Sequence, residues 1–428
     1  MKIVNPSTAQ YRVKYLNIVS IFPTLTETFV LRELRTMRQM GCEVAIGQLR
    51  PLGRKPAALG FDDLSPCVVR AHALSWATLM GLLFFARKKP STLWSDLRLA
   101  LSAFPDIINV AKLIYILLAS TELAYRFREA GLMHVRGHHL HSEAVSAMFI
   151  GEFLGVPYSF TCHTVKTYYP NRVVAEVVQR ARFIVASIVQ VRAFLYSLGA
   201  TASQVCLVRN GVCLSQFPMR VSEPGSEPQV ILAVGRLDYK KGFHVLLSAC
   251  AILRDEAVPF RCVIVGNGDE WSDLSARRRT LGLEEHVEMT GSLDFANVQR
   301  WYERATILAV PSVVGPDGAT DGLPTVIIEA FFRGVPVVGS TTAGIPEVIQ
   351  NGVNGFVAAA GSARELANRM RELLSNRDLA CKFAREARQT AERYFDLDRN
   401  AQYLLQRMSG QVAELDRQTT PVLVSSAS

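Results

Sequence analysis

The chain has 428 residues, 49% hydrophobic and 20% charged, which is enough for two or three domains with sizeable cores and excludes both a disordered chain and a small disulfide-held scaffold. The formal net charge of +9 hides an asymmetry: residues 1–210 carry 24 Lys and Arg against 12 Asp and Glu, and the remainder carries 23 against 26. A basic first half suits an anionic partner such as a membrane surface, a lipid phosphate or a nucleic acid, and equally a plain solvated helix face.

In chain order, short β-branched runs alternate with longer helical patterns. The predicted strands are Tyr15 to Ile21, Glu43 to Leu49, Tyr158 to Thr161, Phe183 to Ser187, Gln229 to Val234, Arg261 to Val265, Ile307 to Val310 and Pro336 to Gly339. That alternation predicts two parallel α/β units with helices on both faces of each sheet. Between the second and third of these strands lies Ala71 to Ala86, whose apolar core Trp76 to Ala86 runs into Arg87, Lys88 and Lys89. It is too short to cross a bilayer, which leaves a buried core helix or an interfacial helix with its cations on lipid phosphates. Pro105 to Ser120 is a second stretch of the same kind. Residues 218–228 have the composition of a surface loop, and the chain after 412 that of a flexible tail. The eight cysteines show no CxxC spacing, and no basic-then-apolar leader opens the sequence, so the expectation is a cytoplasmic protein with reduced thiols.

The most informative segment is Val234 to Gly242, an apolar strand that ends on Gly235, presents Arg236 and, five residues on, Lys241 before the next helix. Ligands of open α/β sheets bind at such strand ends, and two cations beside a helix start suit a diphosphate; solvated turn cations are the plainer alternative. Asp321 and Glu329 stand eight residues apart around Gly322-Leu323-Pro324-Thr325. Pro324 fits a first helical turn and Gly334 with Pro336 its end, so both carboxylates could accept hydrogen bonds from sugar hydroxyls, unless Asp321 only caps the helix. Five of the eight histidines fall between 134 and 163. With no HExxH and no cysteine pair among them, a metal site is not expected.

Taken together, these residues resemble the retaining glycosyltransferases of family 4. The resemblance is carried by Gly235-Arg236 with Lys241-Gly242, the Gly266-Asn267-Gly268-Asp269-Glu270 turn, the acid-x7-Glu element, Gly334 to Val338, Gly344-Ile345-Pro346-Glu347 and Asn351 to Gly355, in the family's order over about residues 205 to 360. Phe22 to Phe29 and Phe160-Thr161-Cys162-His163 are similar to the branch that builds exopolysaccharide and colanic acid. The resemblance implies the GT-B architecture: a Rossmann-like acceptor domain over 1–200, a Rossmann-like donor domain over 201–395, and a helix over 396–412 that returns to the first.

It further implies a sugar transferred from a UDP- or GDP-sugar to a lipid-linked or oligosaccharide acceptor by front-face displacement, without a metal or other cofactor. Arg236 and Lys241 would neutralise the diphosphate, Glu329 would hold the ribose, and Asp321, which stands where the family has glutamate, a hydroxyl of the transferred sugar. Gly235, Gly266, Gly268, Glu270, Gly322, Leu323, Pro324 and Thr325 would line the donor site. His139 or His141 would lie near the donor sugar, and Thr26, Glu27, Thr28 and His163 would face the cleft, with helix capping equally open for the two threonines. A degenerate member that binds without turnover is one rival. A Rossmann oxidoreductase would need an early GxGxxG turn, which is absent, and no nucleic-acid-binding motif accompanies the basic half.

Overall fold

The computed structural model describes residues 13–22, 28–50, 63–165, 167–214, 217, 229–320 and 322–410. Thr26, Glu27, Asp321, the 218–228 loop and the tail after 412 therefore lie outside the described residues, as does the side chain of Thr28. The chain divides into one unit up to Arg209, rejoined at Leu397, and a second from Asn210 to Asp396.

The first unit runs β1 (Lys14–Val19), α1 (Thr28–Gln39), β2 (Glu43–Gln48), β3 (Val68–Arg70), α2 (Trp76–Lys88), α3 (Pro90–Leu101), α4 (Ile107–Phe127), β4 (His134–His138), α5 (Ser142–Leu154), β5 (Tyr158–Cys162), α6 (Asn171–Arg180), β6 (Phe183–Ala186), α7 (Val189–Ser197) and β7 (Val205–Leu207). Its strands pair in the order β3-β2-β1-β4-β5-β6-β7, all parallel, so the direction of winding reverses between β1 and β4. Because β7 completes this sheet, the unit extends past the expected boundary near 200.

The β3-to-β4 crossover holds three helices where one would do. In α2, Thr78, Gly81 and Phe85 turn inward, Phe85 stacking on Phe153 of α5 at 4.7 Å, while Trp76, Leu79 and Leu83 stay exposed. The helix is thus a core element on one face and open on the other. Of the RKK triplet, Lys89 points inward, its Nζ donating to the Glu152 carbonyl at 2.7 Å.

The second unit runs β8 (Gln229–Val234), α8 (Phe243–Asp255), β9 (Phe260–Val265), α9 (Trp271–Thr280), β10 (Val287–Gly291), α10 (Phe295–Arg304), β11 (Ile307–Val310), α11 (Thr325–Arg333), β12 (Val337–Ser340), β13 (Gly355–Ala358), α12 (Ala363–Ser375) and α13 (Arg377–Tyr394). The order β10-β9-β8-β11-β12-β13 is again parallel, with its reversal between β8 and β11. Ile231, Ala233, Cys262 and Ile264 feed a core with α8 and α12, while Val230, Leu232, Val263 and Val265 feed another with α10 and α11. Alternate residues serving two cores explain the nearly continuous apolar strands.

The last helix, α14 (Leu397–Ser409), belongs to the first unit. Leu404, Leu405 and Met408 join Val30, Leu34 and Met37 of α1 in one core, and Asn400 Nδ2 donates to the Arg209 carbonyl at 2.8 Å.

Candidate active site

In each unit the reversal of strand order leaves a crevice beyond the carboxyl ends of two neighbouring strands, where the loops part to opposite faces and backbone groups remain for a ligand.

In the second unit these are the ends of β8 and β11. Gly235 closes β8 by donating to the Val265 carbonyl at 3.0 Å, and buried Leu237 anchors the loop by donating to Asn267 O at 3.0 Å. Between them Arg236 is exposed, its Nε and Nη2 donating to Asp238 Oδ2 at 3.0 and 2.9 Å. A short 3-10 turn, Tyr239–Lys241, then brings Lys241 back over the strand end: a Cβ on Gly235 would touch Lys241 Cδ and Cε at 3.6 Å. The next residue, Gly242, has φ of 69° and sits where a Cβ would fall 1.9 Å from the Pro311 carbonyl, so only glycine fits and the turn is locked against the end of β11. The Val313 amide donates to Lys240 O at 2.8 Å, joining the two loops across the switch point.

Gly266 has a packing reason of its own, since a Cβ there would lie 1.8 Å from Gly235 O. Gly268 is similarly pressed against Leu237 O at 2.4 Å, and the amide of Glu270 donates to that same carbonyl at 3.0 Å. These motif residues therefore shape the Arg236 loop by backbone contact.

Helix α11 starts beside this loop system. Pro324 occupies the cap position itself, with ψ of 121° and no side-chain cap; the Ile327 amide turns back to the Pro324 carbonyl at 3.1 Å, and the amides of Thr325 and Val326 precede the first intrahelical hydrogen bonds. Gly322 is tied down by the Gly344 amide, which donates to its carbonyl at 3.0 Å, and Leu323 packs on the core. Gly334 ends the helix at φ 68°. Glu329 lies in the second turn but is only 9% exposed, and the Tyr302 hydroxyl stands 3.4 Å from its Oε2. Tyr302 was not singled out by the sequence, because it lies on α10, 27 residues away. An open cleft of about 460 Å³ beside Tyr239, lined also by His244, Arg277 and Val314, was likewise unannounced.

In the first unit the reversal falls beside β4, and the histidines gather at the ends of β4 and β5. The rings of His139 and His163 lie 4.9 Å apart, those of His139 and His141 stack at 6.1 Å, and Phe29 of α1 packs on His163 at 4.6 Å. His138 is buried beside them, its ring parallel to that of His163 at 6.3 Å and its Nε2 3.5 Å from Glu33 Oε1. Beneath it Arg136 is fully buried, its Nε 3.1 Å from Glu33 Oε1 and its Nη2 2.6 Å from Thr161 Oγ1.

This sorts the His138-His139-Leu140-His141 run: His138 belongs to the sheet's interior, while His139 and His141 keep exposed surface. His163 is nearly buried under Phe29, so little of it reaches solvent. His139 adopts φ 66°, a left-handed conformation that costs a non-glycine residue about 1 kcal/mol. The Thr161 carbonyl fixes it there, accepting from its amide at 2.8 Å. His141 takes the N-cap position of the buried helix α5, and Tyr168 packs edge-on against it at 4.6 Å.

Burial, and next the charge of neighbouring His139, pushes His141 down to about 4; burial followed by Arg136 holds His138 well below the ordinary value, and burial followed by His139 does so for His163. These imidazoles are therefore neutral at pH 7, each able to donate one hydrogen bond and accept another. Among the described residues no group of three or more His, Cys, Asp or Glu converges to hold a metal ion.

Residues 216–390 match the family Glycosyl transferases group 1. The chain is 34% identical to the amylovoran biosynthesis glycosyltransferase AmsK of Erwinia amylovora over 173 residues, 40% of this chain and 42% of that protein. It is also 34% identical to the putative colanic acid biosynthesis glycosyltransferase WcaL of Escherichia coli over 176 residues, 41% of this chain and 43% of that one. The match thus spans less than half the length of these curated relatives. Among solved structures, Anabaena HepE in complex with UDP superposes with a TM-score of 0.71 at 18% identity, covering 93% of this chain and all of that one. The apo lipopolysaccharide outer core galactosyltransferase WaaB does so with 0.66 at 16% identity, covering 94% and 100%. A glycosyltransferase group 1 domain therefore occupies residues 216–390, in a chain of GT-B fold.

Proposed function

We propose that the chain is a retaining, metal-independent glycosyltransferase of the family 4 type, which moves a sugar from a UDP- or GDP-sugar onto a lipid-linked or oligosaccharide acceptor in exopolysaccharide or cell-surface polysaccharide assembly at the cytoplasmic face of a membrane. The observation that carries it is the second unit's switch point, where the Lys241 stem lies across Gly235 and Arg236 stands exposed at the strand end. Arg236 uses Nε and Nη2 on Asp238, which holds the guanidinium plane and leaves its Nη1 edge for a phosphate oxygen.

In the reaction the acceptor oxygen bonds to the anomeric carbon while the bond from that carbon to the diphosphate oxygen breaks, and the acceptor proton passes to the departing phosphate. Arg236, Lys241 and the first-turn amides of α11 carry the negative charge that builds there. Glu329, braced by Tyr302, is assigned to the ribose, and Asp321 to a hydroxyl of the transferred sugar. Neutral His141, with the His139 ring stacked on it, suits uncharged sugar hydroxyls. Relatives named for amylovoran and colanic acid biosynthesis support the polysaccharide assignment.

A thermal-shift series with UDP, GDP, ADP and NAD, each in EDTA and in magnesium, tests this. A ligand at about 100 times its Kd adds roughly 2.7 kcal/mol. A shift with UDP or GDP that survives EDTA is expected; a shift with NAD alone, or with none of the four, contradicts the proposal.

A further inference from the structure

Ten of the seventeen large apolar side chains left exposed among the described residues fall between 74 and 115, within the three-helix crossover of the first unit. The densest group sits at the turn joining α3 to α4, where Leu101 is 48%, Phe104 74%, Ile107 72% and Ile108 69% exposed. The rest of α4 explains why this end stands free. Its stretch from Leu117 to Ala124 is mostly buried, whereas the first turn carries apolar side chains with nothing packed over them. Among the described residues α4 is the one helix long and apolar enough to span a bilayer, yet half of that stretch is buried inside the unit, which makes it a core helix with an exposed apolar end.

Cations flank the tip on both helices. Arg98 precedes Leu101 by one turn of α3, its guanidinium 5.1 Å from the centre of the half-exposed Trp94 ring, and Lys112 follows Ile108 by one turn of α4. Both are exposed. The acid within the tip, Asp106, caps α4: its carboxylate accepts from the Asn109 amide at 3.0 Å and from Asn109 Nδ2 at 2.7 Å. Apolar side chains at an end, an aromatic beside them and cations one turn behind match the layering of a bilayer interface, with acyl chains below and phosphates above.

We propose that the α3–α4 tip inserts into the interfacial layer of an anionic phospholipid bilayer, with Leu101, Phe104, Ile107 and Ile108 among the acyl chains and Arg98 and Lys112 on lipid phosphates. The inference deepens the proposed transfer to a lipid-linked acceptor and rests on that reading only for its purpose. A second copy of the chain is a poorer occupant. Four side chains fall far short of the roughly 800 Å² per partner that a stable dimer buries, and a two-fold pairing of tips would bring like cations together.

The test is co-sedimentation of the full chain with vesicles of phosphatidylglycerol and phosphatidylethanolamine, against vesicles of phosphatidylcholine. Wild type is expected to prefer the anionic vesicles, and the combined variant Phe104→Ser, Ile107→Ser, Ile108→Ser to lose at least about tenfold in partitioning. Arg98→Gln with Lys112→Gln is expected to remove most of the preference for anionic lipid and its salt sensitivity. Because the altered side chains are exposed, melting temperature and the shift with UDP or GDP should match wild type. Wild type that ignores anionic vesicles, or a triple variant that binds them as well as wild type, overturns the proposal. So does a triple variant whose loss accompanies a dimer-to-monomer change in light scattering, which would make the tip a self-interface. Loss of the nucleotide shift in wild type would strike the transferase reading and leave the vesicle result standing.

Discussion

The two switch points are built from the same topology and present opposite chemistry. In the second unit the loops after β8 and β11 offer charge on an open surface: exposed Arg236, Lys241 across Gly235, and a helix start without a side-chain cap. In the first unit the ends of β4 and β5 offer neutral imidazoles packed on Phe29, over a buried Arg136–Glu33 ion pair. A crevice lined with cations suits a diphosphate, and one lined with uncharged donors and acceptors suits hydroxyls. One fold can thus present a charged strand end and a neutral one by choosing what stands at its two switch points, which is the division of labour the proposed function needs.

The largest effect expected from breaking this contrast is at Lys241. Lys241→Ala should lower turnover by about 10² to 10³ while leaving the melting temperature unchanged, since losing one preorganised charge donor costs that much; steady-state kinetics beside a thermal melt reads both. Next comes the pair under the histidines. Arg136→Met strands Glu33 without its cation and should cost about 3 kcal/mol in urea unfolding.

Neighbouring histidines sharpen the contrast within the first unit. His138→Ala removes a buried ring and should cost about 2 kcal/mol of stability. His139→Gly relieves a left-handed backbone and should cost less than about 1 kcal/mol, yet lower turnover by about fivefold through the lost hydrogen bond. Equal stability losses at the two positions would erase the distinction between them.

A pH series gives a gentler test. Burial pushes His134 down to about 3 and His141 to about 4, and holds His138 and His163 well below the ordinary value. Between about pH 6.5 and pH 4 the unfolded chain therefore binds more protons at these sites, so stability falls as the pH falls. Buried Asp96, held up by desolvation and then by Glu152, pulls the other way, since its protonated form is the folded one. With these four imidazoles, and His244 lowered by burial and then Arg277, against one carboxyl, the melting temperature should drop from pH 6.5 to pH 4, and His141→Gln should flatten part of the drop.

The second unit was the more legible in the sequence, for a physical reason. Its strands are buried on both faces and read as apolar runs, and its turns need glycine where backbones touch, as at Gly242 and Gly266. The group 1 domain and the GT-B fold follow from those motifs. In the first unit, β4 has the sequence His-Val-Arg-Gly-His and hides as a strand, because its polar residues are buried against partners distant in sequence, such as Glu33, 103 residues away. The three-residue strands β3 and β7 are too short for any periodicity to register. Pro324 stands at the cap, one position before the first helical turn that its fixed φ also suits, because sequence does not separate a cap from a first turn. The inward turn of His138 and the brace of Tyr302 on Glu329 depend on packing between elements, which no local pattern encodes.

The most direct measurement is isothermal titration of UDP and of GDP, in EDTA, into wild type and Lys241→Ala. Binding by wild type without a divalent cation, weakened at least about tenfold in the variant, is the predicted result. Equal binding by the two proteins, or binding that appears only when a divalent cation is added, would contradict the assignment of Arg236 and Lys241 as the diphosphate's counter-charge.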